Sequence, residues 1–285
     1  MRAVLREALR RTGLLPIARA GRAWARRLRY LPHNLRYWRS AAAGAAGDGT
    51  GSTPLQVPPL ALIDLVSGQP DIPWFLEGGK RAAAAIRAAL ARQGVAIEEL
   101  AALLDFGCGC GRVLRHWQGL APGTEIHGSD LSPRSIEWGQ RHLGFARLQT
   151  NGLAPPLPYP DQSFDLVYAL SVFTHLPEDL QQPWIDELRR VLKPGGLLLL
   201  STHGERYAAE LDPRERARFR AGELVVRASE DAGRNACGAY HPPAYVRDVL
   251  VAGMEVLEHV PEGAAGNPHQ DQWLLRVSAP RSGRS

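Results

Sequence analysis

Between residues 101 and 202 short apolar runs alternate with stretches whose apolar positions recur every three or four residues. The runs ALLDFG (ending at 107), EIHGSD (125–130), FARLQT (145–150), FDLVYALS (164–171) and LLLLST (197–202) read as strands, most of them buried on both faces. The first strand leads through a glycine turn into a helix reaching Trp117. Ser132 and Pro133 open another as N-cap and first-turn proline, running to about His142. A helix from about Glu178 to Val191 carries Leu180, Trp184, Leu188 and Val191 on one face. The spacing predicts a helix over 78–94, and another from about Pro243 to Val251. VLEHV and QWLLRV then close the pattern as strands joined by a Gly/Pro loop, 261–268. Strands alternating with helices imply an α/β fold, a doubly wound and mostly parallel sheet covered on both faces. The short final connection implies an antiparallel last strand.

Upstream the pattern changes. Residues 1–40 read as a basic helical arm of one or two helices, broken near Gly13 and Pro16. AAAGAAGDGTGSTP (41–54) reads as a linker too poor in large side chains to bury surface. Residues 55–100 form a helical prelude with proline-punctuated turns, and 101–280 the main domain.

Charge sharpens this division. The chain of 285 residues carries +5 overall. Residues 1–40 hold eleven arginines against one acid, Glu7, so the arm is about +10 and the rest about −5. Contact with nucleic acid would rest on the arm alone. The arm packs on the main domain or a partner protein, or lies on an anionic membrane surface, and the first reading is preferred because its basic and apolar residues do not separate cleanly. No stretch is apolar enough for a membrane helix, and no secretory signal is evident, so a cytoplasmic location is expected.

Candidate chemistry concentrates in LLDFGCGCGRVLRHW (103–117). Gly107, Gly109 and Gly111 follow a strand where the backbone must turn sharply beside a ligand. The dinucleotide fingerprint would need glycine at 112, where Arg112 stands, and no G-K-[ST] is present. Cys108 and Cys110 lack a second pair or a neighbouring histidine, so they read as small buried fillers and no metal is expected. Asp130, nineteen residues past Gly111, ends the second strand where a carboxylate grips a ribose diol.

With these features the chain resembles the class I S-adenosylmethionine-dependent methyltransferases. The resemblance rests on LLDFGCGCG (103–111), IHGSD (126–130), NGLAPPLPYPDQSFDLVYALSVFTHL (151–176) and ELRRVLKPGGLLLLSTHGE (187–205), and covers about 100 to 278. It implies a Rossmann-like methyltransferase sheet with S-adenosylmethionine as cofactor, and more loosely a bacterial enzyme modifying small molecules or glycans. It also implies a cofactor site made of Asp105, Phe106, Gly107, Cys108, Gly109, Gly111, Asp130, Leu131, Asn151, Gly152 and Ser171. The loop backbone would face the methionine moiety, Asp130 the ribose, Leu131 the adenine, Asn151 and Gly152 its edge, and Ser171 the sulfonium. Many members carry aspartate where this chain has Asn151.

The expected reaction is methyl transfer to a small-molecule or saccharide acceptor, at oxygen. An alcohol acceptor needs a base, and His175 and His203 are the candidates, lying just past strands four and five. His269, Asp271, Glu205 and His241 are weaker candidates on the same rim. The motif [ND]-P-P-[FYW] is absent after strand four, where SVFT stands, which argues against methylation of nucleic-acid bases. The alternatives are carboxyl or carbon methylation of a natural-product intermediate, or a non-catalytic scaffold that keeps the cofactor fold.

Overall fold

The computed structural model describes residues 15–44 and 55–278. Residues 1–14 of the arm, 45–54 of the linker and the last few residues of the main domain lie outside the described residues. The chain divides into two compact units, one ending at Leu76 and the other beginning at Glu77.

The first unit is helical: α1 (Leu15–Gly44), α2 (Leu60–Ser67) and the start of α3 (Ile72–Arg92). Helix α1 continues through Pro32. Its buried Asn34 clamps the α2–α3 turn, donating from Nδ2 to the Pro70 carbonyl at 2.8 Å and accepting from the Ile72 amide at 2.9 Å. Tyr30 Oη donates to Gln69 Oε1 at 2.7 Å. Helix α3 starts six residues before the expected position because Asp71 accepts the Trp74 amide, at 3.0 Å, as an N-cap. Pro73 is tolerated in a first turn, where no intrahelical donor is needed.

The second unit is a seven-stranded sheet: β1 (Ala102–Phe106), β2 (Glu125–Asp130), β3 (Arg147–Thr150), β4 (Phe164–Ala169), β5 (Leu192–Thr202), then β8 (Glu255–Val260) and β9 (Asp271–Arg276). The order is β3-β2-β1-β4-β5-β9-β8. Strands β1 to β5 pair in parallel, and β9 runs antiparallel to both β5 and β8. The chain reverses direction across the sheet between β1 and β4, which puts the β1, β2 and β4 ends on one rim. Helices α4 (Pro133–His142) and α5 (Glu178–Val191) lie between strands, α4 capped by the Ser132 side chain. Phe106, Leu104, Val167, Trp184, Leu188, Leu198 and Trp273 belong to one contiguous core.

Two expected helices take other forms. After the glycine loop the chain makes a 3₁₀ segment, Leu114–Leu120, with Leu114, Trp117 and Leu120 buried. Their three-residue spacing lines up on one face of a helix with three residues per turn, not 3.6. The helix near 243–251 is a single α-turn, α7 (Pro243–Tyr245), followed by a π-turn, Val246–Leu250. Buried Tyr245 and Leu250, and Val246 and Val251, stand five apart, the spacing of a π-turn.

Between β5 and α7 the chain carries an arginine-rich insertion with elements of its own. Helix α6 (Pro213–Arg220) opens with a capping box between Asp212 and Glu215. It precedes a two-stranded hairpin, β6 (Val225–Arg227) and β7 (Gly238–Tyr240), which joins it in a small core of Ala208, Leu211, Phe219, Val225 and Tyr240. Arg227 pairs with Glu215 across this unit.

Candidate active site

The first half of the rim is made of backbone. Gly107, Gly109 and Gly111 all have positive φ, at 82°, 54° and 79°. A side chain at Gly107 would strike Val172 beyond β4 as well as straining the turn. The Gly107 and Cys108 amides donate to the Ser129 carbonyl at 2.8 and 3.0 Å, tying the loop to the end of β2. Asp130 completes the tie. Its Oδ2 accepts the Gly109 amide and its Oδ1 the Ser132 amide, both at 2.8 Å. Burial raises its pKa, against the pull of those two amides. Each oxygen keeps a lone pair, so the carboxylate can accept two hydroxyls from a vicinal diol. That pair of acceptors fits the ribose of S-adenosylmethionine.

Asp105 lies beneath this loop, fully enclosed, with burial pushing its pKa up to about 7. The Tyr168 hydroxyl hydrogen-bonds it, and Trp117 Nε1 donates to Tyr168 Oη at 2.8 Å. Arg112, placed where a dinucleotide fold would have glycine, is buried. Its guanidinium donates to the Gly266 carbonyl at 3.1 Å and to Asn267 Oδ1 at 2.6 Å, joining the glycine loop to the β8–β9 connection. Cys108 and Cys110 are buried, with Cys110 pushed up to about 12 by burial and Cys108 raised likewise, so both remain neutral thiols. Phe106 is buried against Trp184, with ring centroids 4.6 Å apart.

Asn151 sits at the end of β3. Its Oδ1 accepts from Ser129 Oγ at 2.6 Å and its Nδ2 donates to the Gly152 carbonyl at 2.7 Å. Leu131 is half-buried, and the segment after β6 passes across it. A side chain on Gly233 would come within 2.5 Å of Leu131 and 3.0 Å of Leu153. The Gly233 amide donates to the His175 carbonyl at 2.8 Å.

At the end of β4, Ser171 adopts φ 60° inside a closed ring of hydrogen bonds. Its amide donates to Ser201 Oγ at 2.7 Å, and Ser201 Oγ donates to Gln270 Oε1 at 2.7 Å. Gln270 Nε2 returns to Ser171 Oγ at 2.8 Å. Ser201 and Gln270 carry no motif, and nothing local in the sequence marks them as parts of the rim.

The histidines divide into two groups. His175 donates from Nδ1 to the Cys237 carbonyl at 2.7 Å, and His203 from Nδ1 to the Ala239 carbonyl at 3.1 Å. A carbonyl only accepts, so each ring carries its proton on Nδ1 and leaves Nε2 as a lone pair. The rings stand 6.3 Å apart and nearly perpendicular. Burial lowers both pKa values, that of His203 to about 4 with His175 adding to the shift. Tyr207 lies against His203, with centroids 4.0 Å apart, and its Oη donates to the Pro268 carbonyl at 2.8 Å. Of the remaining candidates, His241, Asp271 and His269 have side chains held by other partners. His241 is fully buried beside Gln181 Oε1, at 3.0 Å, with its pKa lowered by burial to about 3. Asp271 is buried and bound to His259 Nε2 at 2.8 Å and to the Glu262 amide at 3.1 Å. His269 is exposed and bound to Glu262 at 2.8 Å, and Glu205 is exposed.

A cleft of about 540 Å³ lies beside the start of α5, lined by Pro177, Glu178, Asp179, Arg218, Leu224, Val226 and Ser229. It shares none of the loop residues described above. Among the described residues, no cluster of His, Cys, Asp or Glu could hold a metal ion.

The chain resembles known proteins in fold and in part of its sequence. Residues 104–200 match a family described as a methyltransferase domain. An S-adenosylmethionine-dependent methyltransferase from Mesorhizobium loti superposes with a TM-score of 0.51 at 20% identity, covering 67% of this chain and 97% of that one. Residues 104–200 thus carry a methyltransferase domain, and the sheet around them has the fold of an S-adenosylmethionine-dependent methyltransferase. The chain is 35% identical over 103 residues to a ubiquinone biosynthesis O-methyltransferase of Cereibacter sphaeroides, covering 35% of this chain and 40% of that protein. It is 30% identical over 154 residues to a malonyl-[acyl-carrier protein] O-methyltransferase of Hahella chejuensis, covering 51% and 54%. The chain thus spans roughly half or less of the length of these relatives.

Proposed function

We propose that the chain methylates an oxygen of a small-molecule or saccharide acceptor, with His203 and His175 supplying the base. The observation that carries this reading is the pair of half-buried imidazoles, both held neutral with Nε2 unprotonated, past the β4 and β5 ends of the rim. S-adenosylmethionine supplies an electrophilic methyl group on its sulfonium when bound. The backbone of Gly107 to Gly111 and the Asp130 carboxylate hold it, with Asp105, Phe106, Cys108, Leu131, Asn151 and Gly152 shaping its surroundings. Ser171, fixed by Ser201 and Gln270, orients the reacting end. Nε2 of a rim histidine would take the hydroxyl proton of the acceptor as its oxygen accepted the methyl carbon, the carbon–sulfur bond breaking and S-adenosylhomocysteine leaving. The similarity to two O-methyltransferases supports transfer to oxygen. This reading carries with it a cytoplasmic location and an acceptor that is not a nucleic acid.

The test is release of S-adenosylhomocysteine with a panel of phenols, sugars and carboxylic acids. Alcohol-type acceptors should be turned over by the native chain and lose turnover in His203→Gln and His175→Gln, with S-adenosylhomocysteine affinity intact. Turnover of carboxylic acids alone, indifferent to both changes, would replace the reading with carboxyl methylation. Binding without any turnover would favour the scaffold.

A further inference from the structure

One helix of the first unit carries an exposed apolar face. On α1, Trp24, Leu28, Leu31, Leu35 and Trp38 are between 44% and 64% exposed. Their spacing of four, three, four and three keeps them within an arc of about 80° at 3.6 residues per turn, over about 21 Å of helix. Tyr30 and Asn34, which hold the α2–α3 turn, lie on another face of α1, about 80–120° round the helix. Exposed Arg29, Arg36 and Arg39 occupy the opposite flank. The sequence of α1 contains seven arginines and no aspartate or glutamate.

We infer that this face of α1 docks the protein on an anionic phospholipid surface. The stripe has the a/d spacing of a coiled-coil seam, yet it covers two heptads, short of the three or four a coiled coil sustains. Pairing with a second copy would bring arginine-rich flanks together with no acid on either side to oppose them. An anionic bilayer satisfies both properties at once. The leucines enter the headgroup boundary, and the arginine stems lie along the apolar surface while their guanidinium groups reach phosphates. Trp24 and Trp38 stand at the two ends of the stripe, where amphipathic indoles favour the interface. No helix among the described residues is long and apolar enough to cross a membrane, so α1 would lie in the plane of the surface.

The test uses the full chain with vesicles of phosphatidylcholine alone, or with one lipid in three replaced by phosphatidylglycerol, read by cosedimentation and by salt titration. Binding is expected to the anionic vesicles only, weakening as salt rises. The pair Leu28→Asp and Leu31→Asp should reduce it at least about tenfold. Arg29→Glu with Arg36→Glu should reduce it similarly, since each arginine near an anionic leaflet is worth about fivefold in partitioning. Circular dichroism and S-adenosylhomocysteine affinity should match the native chain in both variants, because all four positions are exposed and outside the site. The inference is overturned if anionic vesicles fail to bind the native chain, or if binding survives the leucine changes undiminished. It is equally overturned if light scattering shows a vesicle-free dimer that those changes dissociate, or if an acidic polypeptide binds the stripe while vesicles do not.

Discussion

The two halves of the rim are built by different means. Around β1 and β2, the loop Gly107–Gly111 and Asp130 make a binding surface from backbone amides and one carboxylate, all within about 30 residues of chain. Around β4, β5 and the insertion, each working group depends on a distant residue. His175 leans on Cys237, His203 on Ala239, and Ser171 on Ser201 and Gln270, the last 99 positions away. The first half is a short-range device that any acceptor chemistry can share. The second is assembled by the fold, and under the proposed function it is there that acceptor specificity would vary.

The comparison breaks most visibly through the base. His203→Ala should lower turnover about a hundredfold or more, within the usual span of general-base catalysis, while leaving S-adenosylhomocysteine affinity unchanged. Single-turnover kinetics beside calorimetry reads both quantities. If affinity falls in step with turnover, the two halves are not independent.

Asp130→Ala should give the converse result. Losing a charge-assisted acceptor should weaken S-adenosylhomocysteine at least about tenfold in calorimetry. The same change frees the Gly109 and Ser132 amides, so some of that loss will come from a looser loop. Asp130→Asn, which keeps one acceptor, should fall between.

Gln270→Leu tests the long-range half by structure instead of chemistry. It leaves Ser201 Oγ and Ser171 Oγ short of a partner in a buried place, at a stability cost of about 1–3 kcal/mol by denaturant unfolding. Turnover should fall more than cofactor affinity, because Ser171 loses its anchor while the glycine loop keeps its own.

The smallest effect is a pH dependence with two opposed signs. His203 and His241 are held neutral, at about 4 and about 3, below the ordinary 6.5. The unfolded chain therefore binds more protons at these sites, and stability is lost as pH falls from about 6.5 toward those values. Asp105, raised to about 7 from 3.8, acts oppositely and adds stability over pH 7 to 4. Asp105→Asn should raise Tm at pH 8 by about 2–4 °C per kcal/mol of relieved burial, and should steepen the acid loss between pH 7 and 4. Calorimetry across that range decides it. In Asp105→Asn, where the opposing carboxyl is gone, a flat profile would mean that the histidines titrate normally.

The sheet was legible because its signals are local. Strand runs, the Ser132 cap and the glycine spacing need only a few adjacent residues, and the parallel order followed from apolar strands alternating with helices. Local pattern misjudged the segment after the loop. Leu114, Trp117 and Leu120 look like helix until their spacing of three is set against Tyr168, which holds the Trp117 indole. Arg112 was legible only as a missing glycine. Its ties to Gly266 and Asn267, across 154 and 155 positions, belong to the fold.

By itself the sequence determined the α/β class, the strand ends that carry the loop and Asp130, and the charge of the arm. Each of these follows from periodicity, steric freedom or ionisation over a short stretch of chain. The tertiary structure alone decided which histidines share a rim, which proton each carries, and that Asp271 and His241 are committed elsewhere. Those outcomes depend on hydrogen bonds and burial between residues whose separation along the chain carries no pattern, and desolvation exists only once the chain has closed around them.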